Sequence, residues 1–433
     1  MSHDSKFLDS VYGGVQSFVP PVQSLTDVDF YKFTMGQLIF RKYADTEVTF
    51  KVIVRDKKIS LASVIDEGEL RKALDHALGL RFSRTDLYYL RGMDVYGKNM
   101  FGEDYLEFLR NFQLPSYNLD MTNHKFELTF TGPWAEVTFW ETIALAIISE
   151  LYYRGVMRRM SHEDAELVYA QAKVTVANKL RTIAEHPGVT IADFGQRRRH
   201  SFLWQKWVVG ESRRILGDQF VGSSNAWMAF NQDLVPIGTN AHELPMVLTA
   251  LADTDDGMRY AQYQVLEDWQ ELYGQGLRVF LPDTYGTKQF LANVPSHIRL
   301  EDWRGMRQDS GDPIFQADQY GEWLIRRGVD PKERMTIFSD GLDVDGMVRL
   351  WKFFRNLQKT SFGWGTLLTN DFRGCGVDAL YPFSIVCKVV AANGRPCVKL
   401  SDNPEKATGP ADEVARYRDV FGTAEQKHIK VVV

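Results

Sequence analysis

The sequence predicts an α/β fold: an irregular (β/α) barrel joined to an α+β N-terminal domain that the C-terminal segment completes. Three observations carry this reading. From about residue 187 the chain repeats a rhythm of short apolar strand, polar glycine-bearing loop and helix. Before that point it mixes strand and helix patterns without the repeat. After the repeat, Asn393-Gly394 stands between two apolar runs, a strong hairpin signal. The expected division is 1–186 with about 380–433, and 187–379 between them.

The N-terminal stretch Met1–Gln23 fits no pattern and reads as a loosely held arm. Thr26–Gln37 opens a helix, with Asp27 or Asp29 as its cap and Phe30, Tyr31, Phe33 and Met35 at core spacing. Glu47–Arg55 reads as a strand and Asp66–Leu78 as an amphipathic helix. Lys125–Thr131 is expected to pair with Trp134–Phe139 through a Gly132-Pro133 turn, before helices Trp140–Arg154 and His162–Glu185. The barrel strands are expected at Val189–Phe194, Gln219–Gly222, Leu234–Gly238, Leu277–Leu281, Gly305–Arg307, Met335–Phe338 and Thr360–Phe362. Polar clusters follow nearly every one, which favours a barrel over an open doubly wound sheet, where they gather at one switch point. Ser384–Ala391 and Arg395–Leu400 form the closing hairpin, which should rejoin the first domain's sheet.

Composition removes several classes of function. A net charge of −5 gives no global basic field for nucleic acid. The longest apolar candidate for a membrane span, Val137–Tyr153, is interrupted by Glu141 and Glu150. The first residues lack the basic-then-apolar pattern of a secretion signal. Cys375, Cys387 and Cys397 have neither zinc spacing nor an even disulfide framework, so a reducing cytoplasm is the expected location.

Chemistry concentrates where strands give way to helices. Arg307-Gln308-Asp309-Ser310-Gly311-Asp312-Pro313 offers a guanidinium and two carboxylates. Ser339-Asp340-Gly341-Leu342-Asp343 offers two more, and Phe362-Gly363-Trp364-Gly365-Thr366 a glycine-rich turn of backbone N–H groups. Carboxylates accept from sugar hydroxyls and helix-opening amides cradle phosphate, so the set suits a phosphosugar. In Gly238-Thr239-Asn240-Ala241-His242-Glu243 a histidine falls in a first helical turn, beside the barrel mouth, where it can meet phosphate. Taken alone it is more simply a structural histidine bonded to Glu243 or to a cap. Arg197-Arg198-Arg199 follows the first barrel strand; the side chains of such a run diverge, so not all three can serve one site. A solvated charge run is the alternative to an anion clasp there.

Taken in order, Thr26–Met35, Phe194-Gly195-x-Arg197-Arg198-Arg199, Gly238-Thr239-x-Ala241-His242-Glu243, Arg307-x-Asp309-Ser310-Gly311-Asp312-Pro313, Ser339-Asp340-x-Leu342-Asp343 and Phe362-Gly363-x-Gly365-Thr366 closely resemble the bacterial nicotinate phosphoribosyltransferase family. The resemblance runs from about Thr26 to Asp402 and includes Lys399-Leu400-Ser401-Asp402-Asn403-Pro404. It implies synthesis of nicotinate mononucleotide from nicotinate and 5-phosphoribosyl-1-pyrophosphate, with Mg²⁺ on the pyrophosphate, ATP as co-substrate and a transient phosphohistidine. No protein side chain is assigned to the metal.

The implied roles follow residue by residue. His242 is the phosphohistidine, with Glu243 or a nearby acid holding its tautomer, and Asp309 faces the ribose. Ser310, Gly311, Asp340, Gly341, Gly363, Gly365 and Thr366 hold the phosphoribosyl group. Tyr31 stacks on the nicotinate ring, arriving from the neighbouring subunit of a homodimer. Arg307 is the first choice for the carboxylate and Arg197 the second, with Arg199 on pyrophosphate or the phosphosugar. His200 is a candidate supplement to the phosphate site, Gln196 has no assigned slot, and Asp312 either meets magnesium-bound water or caps the next helix. The competing readings are a nicotinamide phosphoribosyltransferase, a flavin-phosphate-binding barrel oxidoreductase and a non-catalytic phosphosugar-binding relic. An arginine aimed at a carboxylate favours the acid over the amide, which would leave that cation unpaired.

Overall fold

The structure, a computed structural model, describes residues 19–422. Most of the expected N-terminal arm therefore lies outside the described residues. Its last part, at 19–22, is held: Arg154 donates to the Val19 carbonyl at 2.8 Å, Arg199 donates to the Pro21 carbonyl at 2.9 Å, and Val22 is buried.

Among the described residues there are eleven strands: β1 (Glu47–Val54), β2 (Tyr117–Asp120), β3 (Glu127–Pro133), β4 (Ile191–Asp193), β5 (Phe220–Ser223), β6 (Val279–Phe280), β7 (Gly305–Gln308), β8 (Met335–Phe338), β9 (Lys359–Trp364), β10 (Ile385–Ala392) and β11 (Arg395–Pro396). They form an antiparallel sheet of order β11-β10-β1-β3-β2 and a parallel sheet of order β5-β4-β9-β8-β7-β6. In the second sheet the last strand, β9, lies beside the first, β4. That adjacency is the mark of a sheet curled into a barrel, here left open between β5 and β6. The expected strand at Leu234–Gly238 is reduced to one bridge, Ser223 to Pro236. Pro236 has no N–H to give a ladder, and Gly238 turns the chain away at φ 154°.

The antiparallel sheet is completed from the C-terminus. Asn393 and Gly394 both have positive φ, 46° and 75°, so the strands twist back correctly and β10 pairs along β1 from Val54↔Ile385 to Val48↔Ala392. The remainder does not stay with that sheet. Residues 399–401 hydrogen-bond to Thr284 and Thr408, and helix Ala411–Phe421 stacks Phe421 on Tyr285 at 4.1 Å. The C-terminal segment is therefore shared between the two halves.

The Gly132-Pro133 hairpin does not form. β3 pairs with β1 and β2, and Trp134–Val137 is helical, entered through Pro133, whose fixed φ suits a helix start. Trp134, Ala135, Val137, Phe139 and Trp140 are all buried, which alternation across a strand would not allow. Helix Trp140–Met157 buries every residue but Gly155, as a helix apolar all round must. It packs on both β1 and β10, with Trp140 stacked on Phe130 at 4.5 Å, and touches the turn after β4. Helix Tyr31–Lys42 has no side-chain cap, contrary to the capping role expected of Asp27 or Asp29. The residues before it instead cross the mouth of the barrel: Phe30 donates to the Ser224 carbonyl, and Ala226 and Trp227 donate to Val28 and Thr26. This crossing brings Tyr31 to the functional face.

Candidate active site

A cavity of about 240 Å³ lies at the C-terminal ends of the parallel strands, between the barrel mouth and the antiparallel sheet. The C-terminal ends of β4, β7, β8 and β9 and the loops after them supply Phe194, Arg197, Arg307, Asp309, Asp340, Gly341, Gly363, Gly365 and Thr366 to its wall. The other side supplies Tyr31, Glu141, Arg55 and Lys388, and the C-terminal strap Lys399 and Lys406. Its lining holds seven lysines and arginines against four aspartates and glutamates. In a chain of net charge −5 this is a local reversal of sign, which concentrates anions where they are used.

His242 sits at the head of helix Glu243–Leu251 and is buried. Its Nδ1 is 2.9 Å from Thr284 Oγ1, and its Nε2 is 3.0 Å from Asp309 Oδ2 and 2.9 Å from Lys399 Nζ. Burial, reinforced by the Lys399 ammonium, lowers its pKa to about 4 against the pull of Asp283 and Asp309. The imidazole is thus neutral near pH 7, and its Nε2 faces an acceptor, Asp309, and a donor, Lys399, at once. Asp309 is held well below the usual carboxylate range: burial works to raise it, but His242, Arg307 and Lys399 prevail. Ser339 fixes its other oxygen at 2.9 Å. Asp283 completes the group: Oδ2 accepts from Ser310 Oγ at 2.5 Å, and Oδ1 is buried without a hydrogen bond.

A second group surrounds Tyr31. Its hydroxyl donates to Glu141 Oε2 at 3.1 Å. Glu141 Oε1 lies 3.6 Å from Arg197 and 3.8 Å from Lys388. Burial opposes its ionisation, yet Lys32, Lys388 and Arg197 bring its pKa down to about 2. Among the described residues neither the Arg197 nor the Lys388 side chain makes a hydrogen bond, the nearest carboxylates of both being beyond 3.5 Å. Arg307 donates once, to the Asn240 carbonyl at 3.0 Å, and its Nε is buried without a partner.

Several expected residues have other work. Arg199 is fully enclosed and meets Asp27 through both terminal nitrogens, at 2.6 and 2.7 Å. Gln196, Gln205 and the Pro21 carbonyl are also on these nitrogens, only the buried Nε lacks a partner, and Arg199 does not line the cavity. Gln196 belongs to the same knot. Glu243 does not touch His242; it accepts from Lys32 at 2.7 Å and Trp134 Nε1 at 2.6 Å, because neighbouring residues on a helix point about 100° apart. The group on the His242 Nδ1 is Thr284 instead. Ser310 and Gly311 are set back from the cavity; Ser310 steadies Asp283 and receives the Asp402 N–H, and Gly311 makes a turn at φ 79°. His200 is buried against Phe372 at 4.0 Å and bonded to Tyr169, with burial lowering its pKa to about 3. It is a core histidine. Asp312 caps helix Pro313–Arg326. Tyr31 lines the cavity of its own chain. At Gly363 a Cβ would fall 2.3 Å from the Phe194 ring, so glycine is required there by packing as well as by any phosphate.

Sequence reasoning missed Asp283, Lys399, Lys388, Lys406, Arg55 and Glu141. Asp283 had a usable signal, since it follows β6 as Asp309 follows β7.

Comparison with known proteins agrees with this geometry. The model of the nicotinate phosphoribosyltransferase (NAPRTase) family matches residues 189–425, and that of the family's N-terminal domain matches 26–149. A nicotinate phosphoribosyltransferase from Porphyromonas gingivalis superposes with a TM-score of 0.82 at 29% identity, covering 93% of this chain and 100% of the other. One from Vibrio cholerae gives 0.82 at 30% identity, covering 93% and 94%. A putative one from Saccharomyces cerevisiae shares the fold at 0.82 with 24% identity, covering 93% and 99%. The first match covers more than half of the sequence and spans the whole barrel mouth; the chain belongs to the nicotinate phosphoribosyltransferase family.

Proposed function

We propose that the chain transfers the phosphoribosyl group of 5-phosphoribosyl-1-pyrophosphate to the ring nitrogen of nicotinate, releasing pyrophosphate, with ATP cleavage coupled through His242. This is a cytoplasmic step of NAD biosynthesis. The observation that carries the reading is the pair of uncommitted cations, Arg197 and Lys388, beside the Tyr31 ring in a cavity that also holds a neutral histidine. A planar ring with a carboxylate asks for an aromatic face and a cation free to pair. Tyr31 and Phe194 supply faces.

Glycosyl transfer develops positive charge on the sugar, so catalysis rests on placement and on fixed charge. Asp309, kept ionised, is the carboxylate for that charge and for the ribose hydroxyls. Gly341, Gly363, Gly365 and Thr366 offer the 5′-phosphate backbone amides and a hydroxyl. Lys399 and Lys406 neutralise pyrophosphate oxygens. For Mg²⁺, Asp283 and Asp309 fit as oxygen donors, and the unpaired buried Oδ1 of Asp283 is the atom such a cation would satisfy. The metal would supply charge neutralisation of the phosphates. In the ATP half-reaction, Nε2 of His242 uses its lone pair on the γ-phosphorus, the bond to the β-bridging oxygen breaks and ADP departs. The Lys399 ammonium offsets the phosphoryl charge, and Nδ1 keeps its proton on Thr284.

Side-by-side kinetics with nicotinate and nicotinamide test the specificity, and preference for the amide would overturn it. His242→Ala should abolish ATP-stimulated synthesis while leaving slow ATP-independent transfer. Retention of wild-type coupling by that variant would remove the phosphohistidine from the scheme.

A further inference from the structure

Lys32 is fully buried beside the cavity, not in it. Its Nζ lies 2.7 Å from Glu141 Oε2, 2.7 Å from Glu243 Oε2 and 3.1 Å from Thr138 Oγ1, an ammonium enclosed by three oxygens. Each glutamate has a second commitment. Glu141 holds the Tyr31 hydroxyl and faces Arg197 and Lys388, the cations of the proposed ring site. Glu243 holds the Trp134 indole and is covalently next to His242, at the first turn of the same helix. Three charges are thus taken out of water in a bridge from the ring site to the start of the histidine's helix. Stability alone is a weak reason for such a triad, since apolar replacements of similar volume often serve a fold as well.

We propose that Lys32 is a positioning residue: the Glu141–Lys32–Glu243 bridge couples occupancy of the ring site by an anionic base to the placement of His242. The inference rests on the functional reading above and deepens it. A carboxylate arriving at Arg197 and Lys388 competes with Glu141 for both cations. Glu141 is then left with Lys32 as its main counter-ion, and the ammonium charge is drawn from Glu243 towards Glu141. The head of the His242 helix feels that change through one peptide link. Coupling of this kind is reciprocal, so phosphorylation at His242 must alter base affinity by the same factor, typically about 5- to 150-fold.

The test is the number of ATP molecules cleaved per mononucleotide formed, measured for the wild type, Lys32→Met, Glu243→Gln and the double variant. The amount of active protein cancels from this ratio, so a merely structural loss does not move it; thermal midpoints record folding separately. Each single change is expected to raise the ratio at least about threefold, and the double no more than the larger single, because both cut one bridge. Should Lys32→Met not fold, having left two buried carboxylates without their cation, Glu243→Gln alone decides, since it keeps the Lys32–Glu141 pair. A folded Glu243→Gln protein with the wild-type ratio overturns the proposal, as do additive effects in the cycle. Wild-type protein that makes no mononucleotide overturns the functional reading first, and the coupling with it.

Discussion

Arg197 and Arg199 stand two residues apart in one basic run and live in opposite surroundings. Around Arg199 both terminal nitrogens are saturated: each grips Asp27, and Gln196, Gln205 and the Pro21 carbonyl complete the shell, leaving only the enclosed Nε unpartnered. Around Arg197 the carboxylates stand off at 3.6 and 3.7 Å, Glu141 stands 3.8 Å from Lys388, and Arg307 spends one bond on the Asn240 carbonyl. The turn between them is a 3₁₀ helix at Gln196–Arg198, where each residue advances about 120°, so the two side chains leave in different directions. Arg199, enclosed and doubly paired with Asp27, belongs to the frame. Arg197, 39% exposed with its carboxylates held back, suits the ligand-pairing role proposed for it.

Breaking the frame should have the largest effect. Arg199→Met strands Asp27 in the interior, and loss of one partner of a buried pair costs about 3–5 kcal/mol. Denaturant unfolding should show that loss, while the surviving folded protein keeps its KM for nicotinate. An Arg199→Met enzyme of normal stability and poor affinity would invert the comparison.

Removing a waiting cation should do the reverse. Arg197→Met or Lys388→Met is expected to raise the KM for nicotinate about 10- to 100-fold, equivalent to roughly 1.4–2.8 kcal/mol. The thermal midpoint should hardly move, because Glu141 keeps Lys32. A large fall in midpoint with unchanged KM would place these residues in the frame after all.

Lys388 also sharpens the comparison through pH. Burial depresses its pKa to about 8, helped by Arg197 and Lys399 and opposed by Glu141. It is a cation below that value and is lost as pH rises through it. For the wild type, kcat/KM for nicotinate should therefore fall two- to tenfold, roughly, between pH 7.5 and 9. Lys388→Arg, which stays charged, should flatten that limb; an unchanged profile would exclude Lys388 from base binding.

The sequence exposed those features whose signal is local. Helix Trp140–Met157 was legible from its apolar run and the β10–β11 hairpin from Asn393-Gly394, because each pattern is complete within a few residues. The strand expected at Leu234–Gly238 failed on Pro236, where apolar character outweighed the missing N–H. In the site, residues at or just past the strand ends reached the cavity: Arg197, Arg307, Asp309, Asp340 and Gly363. Lys388 and Lys399 did not announce themselves, since they stand 191 and 202 residues beyond Arg197 and arrive only through sheet pairing and a returning strap. Glu243 misled by adjacency, because the helix carries it away from His242 towards Lys32.

Asp312 offers the smallest and cleanest contrast with its neighbour Asp309. Both belong to one motif, yet Asp309 points at His242 while Asp312 Oδ1 accepts from the Ile314 and Phe315 amides at 2.8 and 2.9 Å. A capping carboxylate satisfies two orphan N–H groups and favours the helix dipole, so Asp312→Ala should cost about 1 kcal/mol. Pro313 at the first helical position already fixes the backbone, which limits the damage to that helix end. KM values for nicotinate and for the phosphoribosyl donor should stay within twofold, and the magnesium dependence of the rate should not shift. If Asp312→Ala instead raised the magnesium requirement with no change in stability, the carboxylate would belong with Asp309 and Asp283, and the line between frame and site would run one turn further along the chain.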